Sequence, residues 1–137
     1  LKKILATILL SLSFNIGSVE VNKMPSKQEL ECLATNIYRE SRGEPFKGQV
    51  AVARVTLNRV DDPRYPNTIC KVVYQKHQFS WTAKYKNIKY NMSALNAAII
   101  ALTSKSSFKA THYHATYVNP GWKLKKIAKI GNHVFYS

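Results

Sequence analysis

Leu30, Leu33, Ala34 and Ile37 recur at helical spacing and Ser41 continues the row, which predicts a first helix over about Lys27 to Arg42. Ser26-Lys27-Gln28-Glu29 ahead of it is a capping-box pattern, and Gly43 and Pro45 close it. A second helix follows, with Phe46, Val50, Ala53, Leu57 and Val60 along one face. Val52 and Val55 lie off that face, so this helix is expected to be buried nearly all round until Asp61-Asp62-Pro63 stops it. Residues 71–90 hold only short apolar pieces (VVY, QFSW, YKNIKY), which suggest loop and brief helix. Periodicity returns from Asn91 to Lys105 through Met92, Leu95, Ile99 and Leu102. Then ATHYHATYV alternates like a strand, NPGW turns, and IGNHVFYS alternates again. The pattern predicts an α+β domain over residues 26–137, a helical body with a small C-terminal β-hairpin element.

The first residues follow a different pattern. Lys2-Lys3 precedes the apolar run Ile4 to Phe14, a basic and then apolar order that reads as a secretory signal or N-terminal anchor over residues 1–18, with a linker at 19–25. The run is shorter than the ~20 residues of a membrane-spanning helix. The expectation is an exported protein of the periplasm or cell envelope that touches membrane only through this segment.

Charge narrows the surroundings. With 21 Lys and Arg against 7 Asp and Glu, the net charge of +14 points to nucleic acid, anionic lipid or an anionic envelope polymer. An apolar content of 45% and a mean hydropathy of −0.25 suit a folded domain. The 137 residues are enough for one sizeable core. Export makes Cys32 and Cys70 candidates for a disulfide, with two buried thiols as the alternative.

In so basic a chain, Glu40 and Glu44 ask for a specific explanation. On the helical wheel Glu40 sits beside Leu33 and near Ile37, at the edge of the apolar face, with no Lys at i+4. Partial shelter and the negative end of a helix both favour the protonated form, which is what a general acid needs near neutral pH. A structural salt bridge is the plainer alternative. Glu44 lies just past the helix break, placed to assist Glu40 or to bond Arg42 or a free amide. His112 and His114 share one face of a strand and His133 lies on the partner strand, a pattern that permits zinc. Hydrogen-bonded or exposed histidines are the commoner outcome, so neither metal nor cofactor is expected. Gln78, Phe79, Trp81, Tyr113, Tyr117 and Trp122 offer rings and amides for sugars or bases, although most aromatic residues are core.

The segments NIYRESRGEPFKGQVAVARVTLNRV, PNTICKVVYQKHQFSW, THYHATYVNPGW and IGNHVFY, taken together and in this order, resemble the SleB/CwlJ family of cell-wall hydrolases. The resemblance runs from Glu31 to Tyr136. It implies a fold similar to lysozyme and lytic transglycosylases, with the family's catalytic glutamate falling on Glu40. The family's E-A-R-G-E reads E-S-R-G-E here, a small-for-small change at Ser41. Glu44 would support Glu40, and Gln78, Phe79, Trp81, His112, Tyr113 and His114 would bind substrate. The implied partner is peptidoglycan, not nucleic acid, met by a monomer.

Few acids accompany Glu40, so a single-acid scheme is expected. Cleavage would fall between N-acetylmuramic acid and N-acetylglucosamine, as in a lytic transglycosylase, with muramidase-type hydrolysis of the same bond as the alternative. Outside that class stand a non-catalytic peptidoglycan- or nucleic-acid-binding protein and a zinc-dependent amidase.

Overall fold

The computed structural model describes residues 24–75, 78–83 and 87–137. The signal or anchor expected at 1–18, and all but the last two residues of the expected linker, lie outside the described residues. Among the described residues four α-helices form the body: α1 (Lys27–Ser41), α2 (Phe46–Asp61), α3 (Ile69–Val73) and α4 (Met92–Thr103). A 3-10 turn at Ser80–Ala83 precedes α4. Strands β1 (His112–Ala115), β2 (Lys126–Ile130) and β3 (His133–Tyr136) make one antiparallel sheet in the order β1-β3-β2.

Helix α1 begins where the pattern placed it, with Ser26 Oγ accepting from Glu29 N at 3.3 Å. The other half of the expected capping box is used elsewhere. Glu29 Oε2 accepts from Ile69 N at 2.6 Å and from Cys70 N at 3.2 Å, the first free amides of α3. The disulfide Cys32–Cys70 ties the same two helices, with Cα atoms 5.3 Å apart. Closing a loop of 38 residues stabilises the fold by roughly 3–4 kcal/mol in the chain-entropy model. A five-residue helix is too short to hold itself, and these two ties to α1 fix it in place.

The centre of the core differs from the periodic reading. On α2, Val52, Val55, Ala53 and Thr56 are fully buried, while Phe46, taken as the first core position, is exposed. The helix is wedged between α1 and α4 on one side and Phe135 and Ala110 on the other, so its buried surface is wider than one stripe. On α4 the correction is larger. Ala94, Ala97, Ala98 and Ala101 face inward, whereas Met92 is 66% exposed and Leu95 and Leu102 pack at the margin. The helix lies against both α1 and α2, and only the smallest side chains fit so close an approach.

The expected two-stranded hairpin is a three-stranded sheet. β2 lies within KLKKIAKI, whose lysines hide the alternation because one side of this edge strand faces solvent. β2 and β3 are the true hairpin partners, joined by Gly131-Asn132, and β1 pairs with the far side of β3. Gly131 has φ +55°, and a Cβ there would collide with Glu44 Oε2 and lie 2.9 Å from Pro45 Cδ. Helix α2 anchors the approach to β1: Asn58 Nδ2 donates to the carbonyls of Phe108 (2.9 Å) and Ala110 (2.8 Å), and Arg59 Nε donates to that of Thr111 (2.8 Å). β1 is thereby laid against the C-terminal end of α1, where Glu40 sits.

Candidate active site

Glu40 is the penultimate residue of α1, half-buried, next to a C-terminus that Arg42 caps and Gly43 turns away with φ +84°. Leu33 and Ile37, the neighbours the wheel gave it, are fully buried. From the sheet, Tyr113 reaches across and donates its phenolic O–H to Glu40 Oε2 at 2.8 Å. Burial raises the Glu40 pKa above the ordinary glutamate value, against the lowering effects of the Tyr113 bond and of the Arg59 charge. Tyr113 is itself pushed well above the usual phenol value, by burial first and then by Glu40, so it remains a donor at every working pH.

This arrangement distinguishes the two oxygens of the acid. Oε2, which accepts from Tyr113, takes the carbonyl role in protonated Glu40, and the transferable proton belongs on Oε1. Once the proton has left, the same O–H and the nearby guanidinium stabilise the carboxylate.

Periodicity alone gives Arg59 no role beyond its place in α2. It is a buried cation whose guanidinium lies over Phe79 (5.5 Å to the ring centroid) and Tyr65 (5.3 Å). Burial lowers its pKa, yet an arginine stays charged. Its Nη1 is buried without a hydrogen-bond partner. The signal was present in the sequence: Val52, Val55 and Arg59 are three and four residues apart, which puts a cation in line with core valines.

Glu44 takes another part. Its Oε2 accepts from Asn132 N at 2.9 Å, holding the β2–β3 turn, while its carbonyl accepts from Gln49 Nε2 at 3.1 Å. The structure brings Glu44 to the hairpin and Glu40 to Tyr113.

The residues expected to bind substrate divide. Phe79 and Trp81 are only 5% and 7% exposed and belong to the core, so they do not present the open sugar-stacking faces expected of them. Phe79 is a shelf for Arg59, and Trp81 meets Tyr74 edge-on at 5.8 Å. Gln78 is partly exposed and is the member of that group with access to solvent. On β1 the pleat sends Tyr113 inward and His112 and His114 outward. His133 pairs with Ala115 and therefore shares the inner face, 5.1 Å from the Tyr113 ring. The three histidines considered as a zinc set thus lie on two sides of the sheet. His112 Nδ1 contacts Thr111 Oγ1 at 3.0 Å, and burial followed by the charges of Arg59 and Arg64 lowers its pKa. His133 is also lowered, chiefly by burial.

The fold and this geometry describe a small α+β domain built around one sheltered, phenol-held carboxylic acid. Comparison with known proteins gives the class. Residues 43–136 match the Cell Wall Hydrolase family, and the chain belongs to that family. Glu40 lies three residues ahead of the matched span. The chain is 33% identical over 138 residues to a spore cortex-lytic enzyme of Bacillus cereus, covering 87% of this chain and 52% of that protein. It thus spans about half the length of that curated relative. The crystal structure of the catalytic domain of the Bacillus cereus SleB protein is similar, with a TM-score of 0.75 and 33% identity, covering 88% of this chain and 100% of the other. The catalytic domain of the germination-specific lytic transglycosylase SleB from Bacillus anthracis has the same TM-score at 32% identity, covering 84% and 98%. The α+β fold expected from the sequence is that of these domains.

Proposed function

We propose that this domain cleaves the glycan strand of peptidoglycan between N-acetylmuramic acid and N-acetylglucosamine as a lytic transglycosylase, in the cell envelope where that polymer lies. The observation that carries the reading is the single acid: Glu40, raised in pKa and held through Oε2 by Tyr113. Four of the other described Asp and Glu side chains have structural partners. Glu29 caps α3, Glu44 holds the hairpin, Asp62 pairs with Arg64 at 2.6 Å, and Glu31 pairs with Lys27 at 3.8 Å. Asp61 lies at the far end of α2, in a depression with Asn58, Lys109 and Thr111.

A hydrolase of the two-carboxylate kind needs a second acid across the bond. A transglycosylase does not, because the substrate supplies the nucleophile. Glu40 Oε1–H protonates the glycosidic oxygen and the C1–O bond breaks. The muramic 6-hydroxyl then attacks C1 and returns its proton to the Glu40 carboxylate. The product is a 1,6-anhydro ring, no water is consumed, and the acid is regenerated. Partly exposed Gln78 and His112 are the polar groups we assign to substrate. Tyr113 and Arg59 position Glu40 and stabilise its carboxylate, and Glu44 keeps the hairpin on the turn that follows Glu40. Names of the relatives agree with this chemistry: one is called cortex-lytic and another a lytic transglycosylase.

Mass spectrometry of muropeptides released from purified sacculi tests the proposal. Anhydro-muramic ends are expected. Reducing ends would mean hydrolysis of the same bond, and freed peptides on intact glycan would mean an amidase.

A further inference from the structure

The outer face of the sheet holds a second cluster, of which the cleavage scheme uses only His112. Trp122, 40% exposed, meets three rings edge-to-face: His112 at 5.5 Å, His114 at 5.6 Å and Tyr136 at 5.8 Å. His114 stacks on Tyr136 at 5.3 Å, and its two nitrogens are engaged by Ala115 O at 2.7 Å and Tyr136 Oη at 2.8 Å. With both nitrogens occupied, His114 braces its neighbours and has no ring nitrogen left for a ligand. An indole is therefore held rigidly at the surface, which lowers the entropy lost when something stacks on it.

Around this indole the surface is cationic. Residues 121–127 are all exposed and carry Lys123, Lys125 and Lys126, with Lys129 further along β2. Hydrogen bonds between Lys125 and Ser137 (3.2 and 2.9 Å) fix the strip to the C-terminal end of β3. No Asp or Glu occurs after Asp62, although twelve Lys and Arg do, so no acidic side chain from that part of the sequence neutralises the strip.

We propose that this face is a second peptidoglycan-binding surface, on which a sugar ring rests on Trp122 while stem-peptide carboxylates meet Lys123, Lys125 and Lys126. The inference rests on the glycan-cleaving function proposed above. Charge complementarity selects the partner: a polymer of flat sugar rings carrying carboxylates matches one fixed aromatic surrounded by lysines. A lipid surface would ask for a continuous apolar face, whereas exposed Leu124 and Ile127 are interspersed with Lys123, Lys125, Lys126 and Lys129. Because Trp122 packs on His112 and His114, the residues flanking Tyr113, the platform backs onto the strand that holds Glu40. A strand bound there would keep the enzyme beside its substrate between cuts.

The test uses Glu40→Gln, so that binding is read without turnover. The full chain is equilibrated with whole sacculi, with glycan strands stripped of their peptides, and with vesicles containing anionic phospholipid. Trp122→Ala is expected to weaken binding to both glycan forms five- to tenfold, with Trp122→Phe losing less. Replacing Lys123, Lys125 and Lys126 together by Gln should weaken binding to sacculi alone and flatten its salt dependence. These lysines are exposed, so this variant stays informative even if Trp122→Ala unfolds. Unchanged sacculus binding in the triple-lysine variant together with Trp122→Phe would overturn the proposal. So would a parent that prefers the vesicles and loses them on Trp122→Ala. Wild-type protein that releases no glycan fragments would count against the cleavage reading instead, since the binding comparison does not depend on turnover.

Discussion

Glu40 and Glu44 stand on either side of one turn and are treated differently by the molecule. Glu40 is half-buried beside the fully buried Leu33 and Ile37, and its partner is a side-chain hydroxyl from the sheet. Glu44, also partly buried, has a backbone amide of the hairpin as its partner. The first setting favours a neutral acid with one free O–H; the second uses a carboxylate as a clamp. On the function proposed above, two acids four residues apart are not a catalytic pair: Glu40 is the reactive group, and Glu44 is a fastening that keeps the sheet, and with it Tyr113, against it.

The sharpest way to break this comparison is to exchange the acids for amides one at a time. Glu40→Gln should lower glycan cleavage roughly 10²–10⁴-fold, because the amide keeps the shape without a transferable proton. The same variant should be more stable than wild type near neutral pH and indistinguishable at pH 4. A raised folded-state pKa means that stability is full below the unfolded value and is lost as pH rises through the folded one; the glutamine escapes that loss. Melting curves at the two pH values check the sign. Tyr113→Phe comes next. Losing a hydrogen bond to a group that becomes charged costs about 1.5–3 kcal/mol, or roughly 10–100-fold in kcat, and circular dichroism should show an unchanged fold.

On the other side of the turn the effects should fall on stability. Gly131→Ala forces a left-handed position and a collision with Glu44, and should destabilise by about 1–3 kcal/mol in denaturant titration. Glu44→Gln retains an acceptor for Asn132 N, so its cost should stay under about 1 kcal/mol and its activity within a few-fold of wild type. Strong cleavage by Glu40→Gln with none by Glu44→Gln would invert the assignment.

What the sequence allowed to be read followed from how directly a pattern maps onto space. Helices α1, α2 and α4 were legible because their apolar periods are long, and Glu40 because its wheel position fixes its neighbours. The inward face of α4 was not, since a row of alanines is a weaker signal than Met92 and Ile99 and only the crowding of three helices gives it preference. β2 was hidden by the lysines of an edge strand. Phe79 and Trp81 resembled a sugar platform because exposure leaves no mark on an aromatic residue's identity. The Tyr113–Glu40 bond joins residues 73 apart and depends on the pairing of β1 with β3, which no local pattern encodes. Arg59 carries the same mark in the sequence as Glu40, a charge in line with core residues.

The central claim, that Glu40 is the proton donor and Tyr113 its holder, is tested most directly by the pH dependence of kcat/KM on a soluble glycan fragment, in wild type and in Tyr113→Phe. The alkaline limb reports the acid that must be protonated in the free enzyme. In wild type it should lie above the ordinary glutamate value of ~4.3, because burial outweighs the bond and the nearby charge. The Tyr113 bond lowers the Glu40 pKa, so removing it should move the limb to higher pH while the maximum rate falls. A limb that stays where it was in Tyr113→Phe, or one that lies at or below the ordinary value in wild type, would contradict the account.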